Sequence, residues 1–355
     1  MSPFLCQRSC SASRRLSNSL FSTVLECPEL LSLRRDLKRS LRSAYSSGTY
    51  SNLRTQFKAY ILFCSYFKLR SLPASLDTLC LYVQFLSRTL TPPSIRNYLS
   101  GVKLYHLFSG QEYQFSKEFV LSLALRGISR TALHTPCRAP PVTPDLLLRI
   151  SRTLDHINDP FECTIFCAFL FTFFLMARVA NIVPKSSKKF DPARDLTRGD
   201  VLVGPHGLII TFKCTKTIQF GERRLHIPLL SIPDSPLCPV SAYARMVKLV
   251  PASSQHPLFV VPMGTRLHTI TSSRFISEFR KSLRNAGVVA PTSYRGHSFR
   301  RGAASWAFSS GVPGELIQLY GDWASDAYKL YLEFSIEAKL SLAQILRQSI
   351  SSALS

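Results

Sequence analysis

The sequence predicts two mainly helical domains: an all-α N-terminal bundle, then a mainly α domain carrying a small three-stranded antiparallel sheet. Three observations lead there. Apolar residues recur at helical spacing from Leu33 to about Thr135, a proline-rich stretch (TPCRAPPVT, 135–143) interrupts that pattern, and strand-like alternation is concentrated between Val201 and Leu230. With 355 residues the chain is long enough for two such units, each able to bury a core.

Charge narrows the partner. Lys plus Arg total 44 against 21 Asp plus Glu, a formal net charge of +23, and an excess of that size suits a polyanion, nucleic acid first. A solvated basic face or a membrane-surface binder is the alternative. The ten cysteines are scattered singly, with no CxxC pair, so neither a zinc knuckle nor a disulfide framework is legible, and a reducing compartment fits. The most apolar run, Cys163 to Ala177, is shorter than the ~20 residues a membrane-spanning helix needs and is closed by Arg178. It reads as a buried core helix. Residues 1–32 read as a basic, disordered tail with no acid before Glu26; a mitochondrial transit peptide shares this composition.

Within 33–134, candidate helices lie near 34–45, 50–67, 76–88, 93–108 and 117–128, with Thr49, Ser75 and Ser116 at cap positions. Leu53, Phe57, Tyr60, Ile61 and Cys64 form an apolar face at spacings of three and four. From 34 to 135 there are fifteen Lys or Arg but only four acids, Asp36, Asp77, Glu112 and Glu118. The bundle therefore reads as a DNA grip working mainly through phosphates, with Lys58, Arg96 and Lys103 as candidate contacts. A bundle that binds protein is the alternative.

After the 135–143 linker, the second domain spans 144–355. Thr143, Pro144 and Asp145 open a helix that runs to about Leu154; a buried helix from Phe161 to Ala177 then delivers Arg178. Strands are expected at Val201–Val203, Leu208–Cys214 and Arg223–Leu230, with Lys213 and Lys216 near the end of the middle one. Helices follow after Pro239, from Ser272 to Asn285 and from Ile336 to Ile350. Between the last two lies the most informative stretch, Tyr294 to Phe334. It holds His297 and Arg300 three residues apart at a helix start, a break at Gly311, Val312 and Pro313, then Gly321, Trp323, Tyr328 and Tyr331.

An HxxR pair, a Trp shortly after a Gly, and a Tyr eight residues beyond that Trp form an ordered set that resembles the tyrosine recombinase (phage-integrase-like) family. The phrases GHSFRRGAA and GDWASDAYKLY look most like the recombinases of DIRS-like retrotransposons and Crypton-like mobile elements. The resemblance implies a SAM-like core-binding domain that clamps duplex DNA and a catalytic domain with the DNA breaking-rejoining enzyme fold. It also implies catalytic roles for Arg178, Lys216, His297, Arg300, Trp323 and Tyr331, with Lys213 open as an alternative lysine and Lys213 and Arg301 as further DNA contacts. No cofactor or metal is implied. The partners would be double-stranded DNA and further copies of the chain, dimer to tetramer, joined through the C-terminal helix, in the nucleus or, alternatively, the mitochondrion. One departure stands out: many members carry an acid three residues after the first arginine, where this chain has Asn181. A type IB topoisomerase and a domesticated DNA-binding protein without strand transfer are the competing readings.

These residue types suit phosphodiester cleavage. A phenol with an ordinary pKa near ~10 is a poor nucleophile at neutral pH unless cations and a base favour its ionised form. Two arginines offer planar forks to the non-bridging oxygens, a histidine accepts the phenol proton or holds a phosphate oxygen, an indole N–H donates one bond, and a lysine protonates the departing 5′ oxygen.

Overall fold

The computed structural model describes residues 28–115, 118–132, 138–331 and 336–353. Two compact units divide the chain, Met1–Pro136 and Cys137–Ser355. Ser116 and residues 135–137, expected as a cap and as the start of the linker, lie outside the described residues, as do 133 and 134 at the end of the expected first domain.

The first unit is all helical among its described residues: α1 (Pro28–Ser43), α2 (Ser47–Tyr66), α3 (Leu76–Ser87), α4 (Pro92–Phe108) and α5 (Phe119–Thr131). Residues 28–32, expected in the tail, already belong to α1, because Pro28 suits a first helical position and Glu29 lies in the first turn. Ser46 rather than Thr49 caps α2, accepting the Thr49 backbone N–H at 3.2 Å; Ser75 caps α3 in the same way at 3.0 Å. Of the expected apolar face, Leu53, Tyr60 and Cys64 are buried, and Phe63 joins them. Tyr60, Phe63 and Cys64 share one core with Leu79, Tyr82 and Val83 of α3, Ile95, Leu99 and Val102 of α4, and Leu121 and Ile128 of α5. His106 is fully buried in this unit, its Nε2 accepting the Ala74 N–H at 2.9 Å, which leaves Nδ1–H to donate to the Val102 carbonyl.

The second unit is built around one helix. Thr143 caps α6 (Pro144–Ser151), with Pro144 in its first turn; Asp159 caps α7 (Pro160–Phe174), accepting the Glu162 N–H at 2.6 Å. Every residue of α7 from Cys163 to Phe173 is buried, so the apolar run is the core of this unit. No described helix is long and apolar enough to cross a membrane. Helix α7 stops three residues earlier than expected, since Met176 adopts φ 46°, the left-handed region, and turns the chain. Arg178 therefore does not end α7. It is the N-cap residue of a separate short helix, α8 (Val179–Ile182).

Strands β1 (Val201–Gly204), β2 (Gly207–Phe212) and β3 (Leu225–Leu230) form the expected antiparallel sheet in the order β1-β2-β3, with Ile210 facing Val201 on one side and Ile227 on the other. Helix α9 (Pro239–Leu249) follows. A second hairpin, β4 (Val260–Met263) with β5 (Arg266–Thr269), is an element that alternation did not reveal. Its strands are four residues each, too short for the pattern to repeat.

Helices α10 (Ser272–Asn285), α11 (Gly296–Ser309) and α12 (Gly314–Tyr320) complete the body, and α13 (Ile336–Ala353) ends the described chain. Phe299 of α11 sits in an aromatic cluster with Phe169 of α7 and Phe275 and Phe279 of α10. That packing fixes the rotation of α11 and hence where its neighbour Arg300 points. One glycine is essential to it. The Val142 N–H donates to the Ser298 carbonyl at 2.9 Å, and a Cβ on Gly302 would stand 1.7 Å from the Val142 carbonyl oxygen. Gly302→Ala is thus expected to destabilise this unit by about 3 kcal/mol or more, since backbone must shift to admit the methyl. Both tryptophans, Trp306 and Trp323, belong to this unit, so urea unfolding followed by their fluorescence measures the change.

Candidate active site

Arg300 is the most constrained member of the candidate set. It is 2 % exposed, its Nη2 donates to the Gly321 carbonyl at 2.6 Å, its Nη1 donates to the Met176 carbonyl, and its guanidinium lies 3.6 Å from the centre of the Trp323 ring. No carboxylate pairs with it among the described residues. Burial, and after it the neighbouring Arg178, pushes its pKa down to about 9, which leaves it charged at neutral pH. Tyr331 and Asp322 act the other way.

His297 lies one helical turn before Arg300, open to solvent on one side. Desolvation first, then the charges of Arg178, Arg300 and Lys216, lower its pKa below the ordinary imidazole value. Three cationic side chains from three separate stretches, α8's start, the β2–β3 loop and α11, thus bear on one imidazole. Arg178 is half-buried and Lys216 exposed.

The two lysines left open in the β2–β3 region are separated by their surroundings. Lys213 Nζ pairs with Asp200 Oδ2 at 2.7 Å and donates to the Pro192 carbonyl at 2.6 Å, which ties the end of β2 to the 191–200 segment. Its ammonium is spent inside the protein, against its expected use as a DNA contact. Lys216 is at the tip of a tight turn: Thr215 N–H donates to the Ile218 carbonyl at 3.0 Å, and Thr215 Oγ1 accepts the backbone N–H groups of Thr217 and Ile218, both at 3.1 Å. Arg301, also expected as a DNA contact, is 8 % exposed and donates to the Ala139 carbonyl at 2.8 Å, so it is directed inward. Lys58, Arg96 and Lys103 are exposed in the first unit, the latter two seven residues apart on one face of α4.

The two tyrosines differ in the same decisive way. Tyr328 is 3 % exposed and belongs to the core, packed beside Gly314. Tyr331 follows a 3-10 turn (Asp326–Leu330), is half-buried, has its ring centre 6.0 Å from that of Trp323, and lies in the field of Arg300 and Arg301. Its backbone is pinned: Ser305 Oγ donates to the Tyr331 carbonyl, and Arg138 donates to the Leu330 carbonyl at 3.3 Å. Asn181, at the departure from the resembling pattern, donates its backbone N–H to the Arg178 carbonyl at 2.8 Å.

Sequence reasoning passed over Asp322, Thr215, Thr217 and Arg223. Asp322, at φ 55°, accepts from Thr215 Oγ1 at 3.0 Å and from Thr217 Oγ1 on one carboxylate oxygen, and from Arg223 on the other. Burial raises its pKa, but the hydrogen bonds from Thr217, Arg223 and Thr215 outweigh this and hold it below the ordinary aspartate value. No signal in the sequence singles it out, since Asp322 is one of three acids, with Glu315 and Asp326, between Arg301 and Lys329.

If the surrounding cations depress His297, deleting one must relax it. In an NMR titration, the His297 imidazole is expected to titrate below 6.5 in the free protein, and Arg178→Ala is expected to raise the midpoint, because the protonated ring then faces one charge fewer. An unchanged or lower midpoint in the variant contradicts the arrangement.

No protein-family model matches the chain, and no curated protein matches it by sequence. Solved structures do match by fold. The XerH site-specific recombinase in a pre-cleavage complex with its difH substrate aligns with a TM-score of 0.51 at 14 % identity, over 81 % of this chain and 76 % of that one. Lambda integrase residues 75–356 bound to DNA align at 0.53 and 14 % identity, over 83 % and 93 %. The Tn1549 transposon integrase with transposon right-end DNA aligns at 0.54 and 12 % identity, over 88 % and 98 %. The chain has the fold of these recombinases and integrases: mostly helical, with a small three-stranded antiparallel sheet.

Proposed function

We propose that the protein is a site-specific DNA recombinase or integrase that cleaves and rejoins duplex DNA through a 3′-phosphotyrosyl intermediate. One observation carries the reading: three cations from distant parts of the chain, Arg178, Lys216 and Arg300, bear on the imidazole of His297, and Arg300 in turn bears on a half-buried phenol, Tyr331, that is anchored through its backbone.

The chemistry follows from the residues. Tyr331 Oη attacks phosphorus and its proton passes to His297; the bond from phosphorus to the 5′ oxygen breaks, and that oxygen takes a proton from Lys216. Arg178 and Arg300 bind the non-bridging oxygens as negative charge grows there. Exchange of one phosphodiester for another conserves bond energy, so a second 5′ hydroxyl reverses the step without ATP. The basic first unit would grip the duplex through Lys58, Arg96 and Lys103.

Assembly on DNA belongs to the same reading. Helix α13 exposes Leu340, Ile345, Leu346 and Ile350. A groove of about 660 Å³ lined by Phe174, Leu225, Trp306, Leu316 and Leu319 is apolar, with Trp306 52 % exposed. The occupant that fits is α13 of a second copy, whose leucine and isoleucine side chains match the groove's character. A mobile-element origin and a nuclear site of action complete the proposal and rest on the resemblance of the 294–334 stretch alone.

The reading is tested with a nicked suicide substrate, which traps the covalent intermediate by letting the short 5′ fragment diffuse away. Tyr331→Phe is expected to abolish the denaturation-resistant protein–DNA adduct. Tyr328→Phe, which deletes one core hydroxyl at a cost of about 1 kcal/mol, is expected to keep it. Adduct formation by Tyr331→Phe, or its loss in Tyr328→Phe alone, overturns the assignment of the nucleophile.

A further inference from the structure

We infer that Asp322 is a positioning residue that latches the β2–β3 turn and thereby holds Lys216 over the scissile phosphate; this rests on the strand-cleavage reading above. Lys216 is exposed on a loop, and among the described residues no hydrogen bond or ion pair fixes its ammonium. The turn beneath it is fixed instead. Both flanking residues, Thr215 and Thr217, direct their hydroxyls to one carboxylate oxygen of Asp322, while Arg223, at the far end of the same loop, donates to the other. Three donors spread over nine residues of one loop converge on a single acceptor 99 to 107 residues away in sequence.

Asp322 is also the residue next to Trp323, whose ring stacks on Arg300, and it follows Gly321, whose carbonyl accepts from Arg300. The latch therefore couples the loop that carries the proton donor to the segment that holds the phosphate-binding arginine. The left-handed backbone at Asp322 suits an aspartate or asparagine better than most residues, so the latch has a residue type its conformation tolerates. Arg223 serves a second purpose: it neutralises a carboxylate that would otherwise repel a phosphate.

A residue that works only through Lys216 has a signature that a merely structural one lacks. When the bridging 5′ oxygen is replaced by sulfur, the thiolate departs without needing a proton, so a fault in proton donation disappears while a fault in phosphate binding or nucleophile placement remains. Asp322→Asn keeps a side chain that accepts the left-handed backbone but removes the charge and one acceptor oxygen. On the oxygen substrate it is expected to slow adduct formation about 100-fold, the size of effect that misplacing a reacting group produces. On the sulfur substrate its rate is expected to lie within about threefold of the unaltered protein, the pattern expected for Lys216→Ala on the same general-acid argument. Thr217→Val, which removes one donor without touching Asp322, is expected to show the same pattern more weakly, with Thr217→Ser restoring activity; it carries the test should Asp322→Asn fail to fold.

Equal rates for Asp322→Asn and the unaltered protein on the oxygen substrate overturn the inference, as does equal loss on both substrates, which would place the effect at Arg300 and Trp323. An unaltered protein that forms no adduct with either substrate sinks the functional reading itself, and the latch with it.

Discussion

The second unit is organised around a buried guanidinium. Taking such a charge out of water costs several kcal/mol, and here no described carboxylate repays it. The repayment comes from two carbonyls and an indole face: Met176, Gly321 and Trp323. Charge-assisted hydrogen bonds contribute roughly 1.5–3 kcal/mol each and a desolvated cation–π contact up to about 2. Each partner constrains the chain in turn. Met176 offers its carbonyl only because it turns the backbone after α7 at positive φ, and Gly321 only because it lacks a side chain, since a Cβ there would stand 1.7 Å from the Trp323 ring. A carboxylate partner would have been the cheaper way to bury this charge. It would also have cancelled the positive potential that the proposed reaction needs at a phosphate, whereas neutral acceptors hold the arginine and leave its charge uncompensated.

That constraint explains the division between stiff and exposed groups. Arg300 and Trp323 are buried, and Tyr331 is tied through its carbonyl to Ser305. Lys216 and His297, the proton carriers in the proposed reaction, are exposed. Groups that bind charge gain from a dry, preorganised setting. Groups that exchange protons need to recover them from water between turnovers.

Much of the fold was legible because its signals are local. The helices of the first unit, the Thr143-Pro144-Asp145 start and the Cys163–Phe173 core run follow from periodicity, capping and length. Signals spread over distant segments were not legible. Alternation marks a strand only when it repeats, which the four-residue strands β4 and β5 do not allow. The end of α7 was misplaced because Met176 gives no warning of positive φ; glycine or asparagine would have. Ser46 was overlooked for Thr49 because two hydroxyl residues three apart both look like caps, and only the direction of the hydrogen bond distinguishes them. In the candidate site, residue types and order were readable, so Arg178, Lys216, His297, Arg300 and Tyr331 could be named. Order and spacing favour Lys216 over Lys213 and Tyr331 over Tyr328, while the burial and partners that set each pair apart are not written in the sequence.

Asp322 illustrates the same limit from the other side. In a linear reading Asp322 is one of three acids between Arg301 and Lys329, and nothing local sets it apart from Glu315 and Asp326. Its three partners lie 99 to 107 residues upstream, in the loop between β2 and β3. A carboxylate is the economical choice there: it accepts several hydrogen bonds at once, whereas an amide oxygen and nitrogen divide that capacity between accepting and donating. The field it adds to a phosphate site is unfavourable, and Arg223 offsets it from the same loop. An acid with its own cation therefore ties two segments together at little electrostatic cost to Arg300 beside it, which a lone acid at that position could not do.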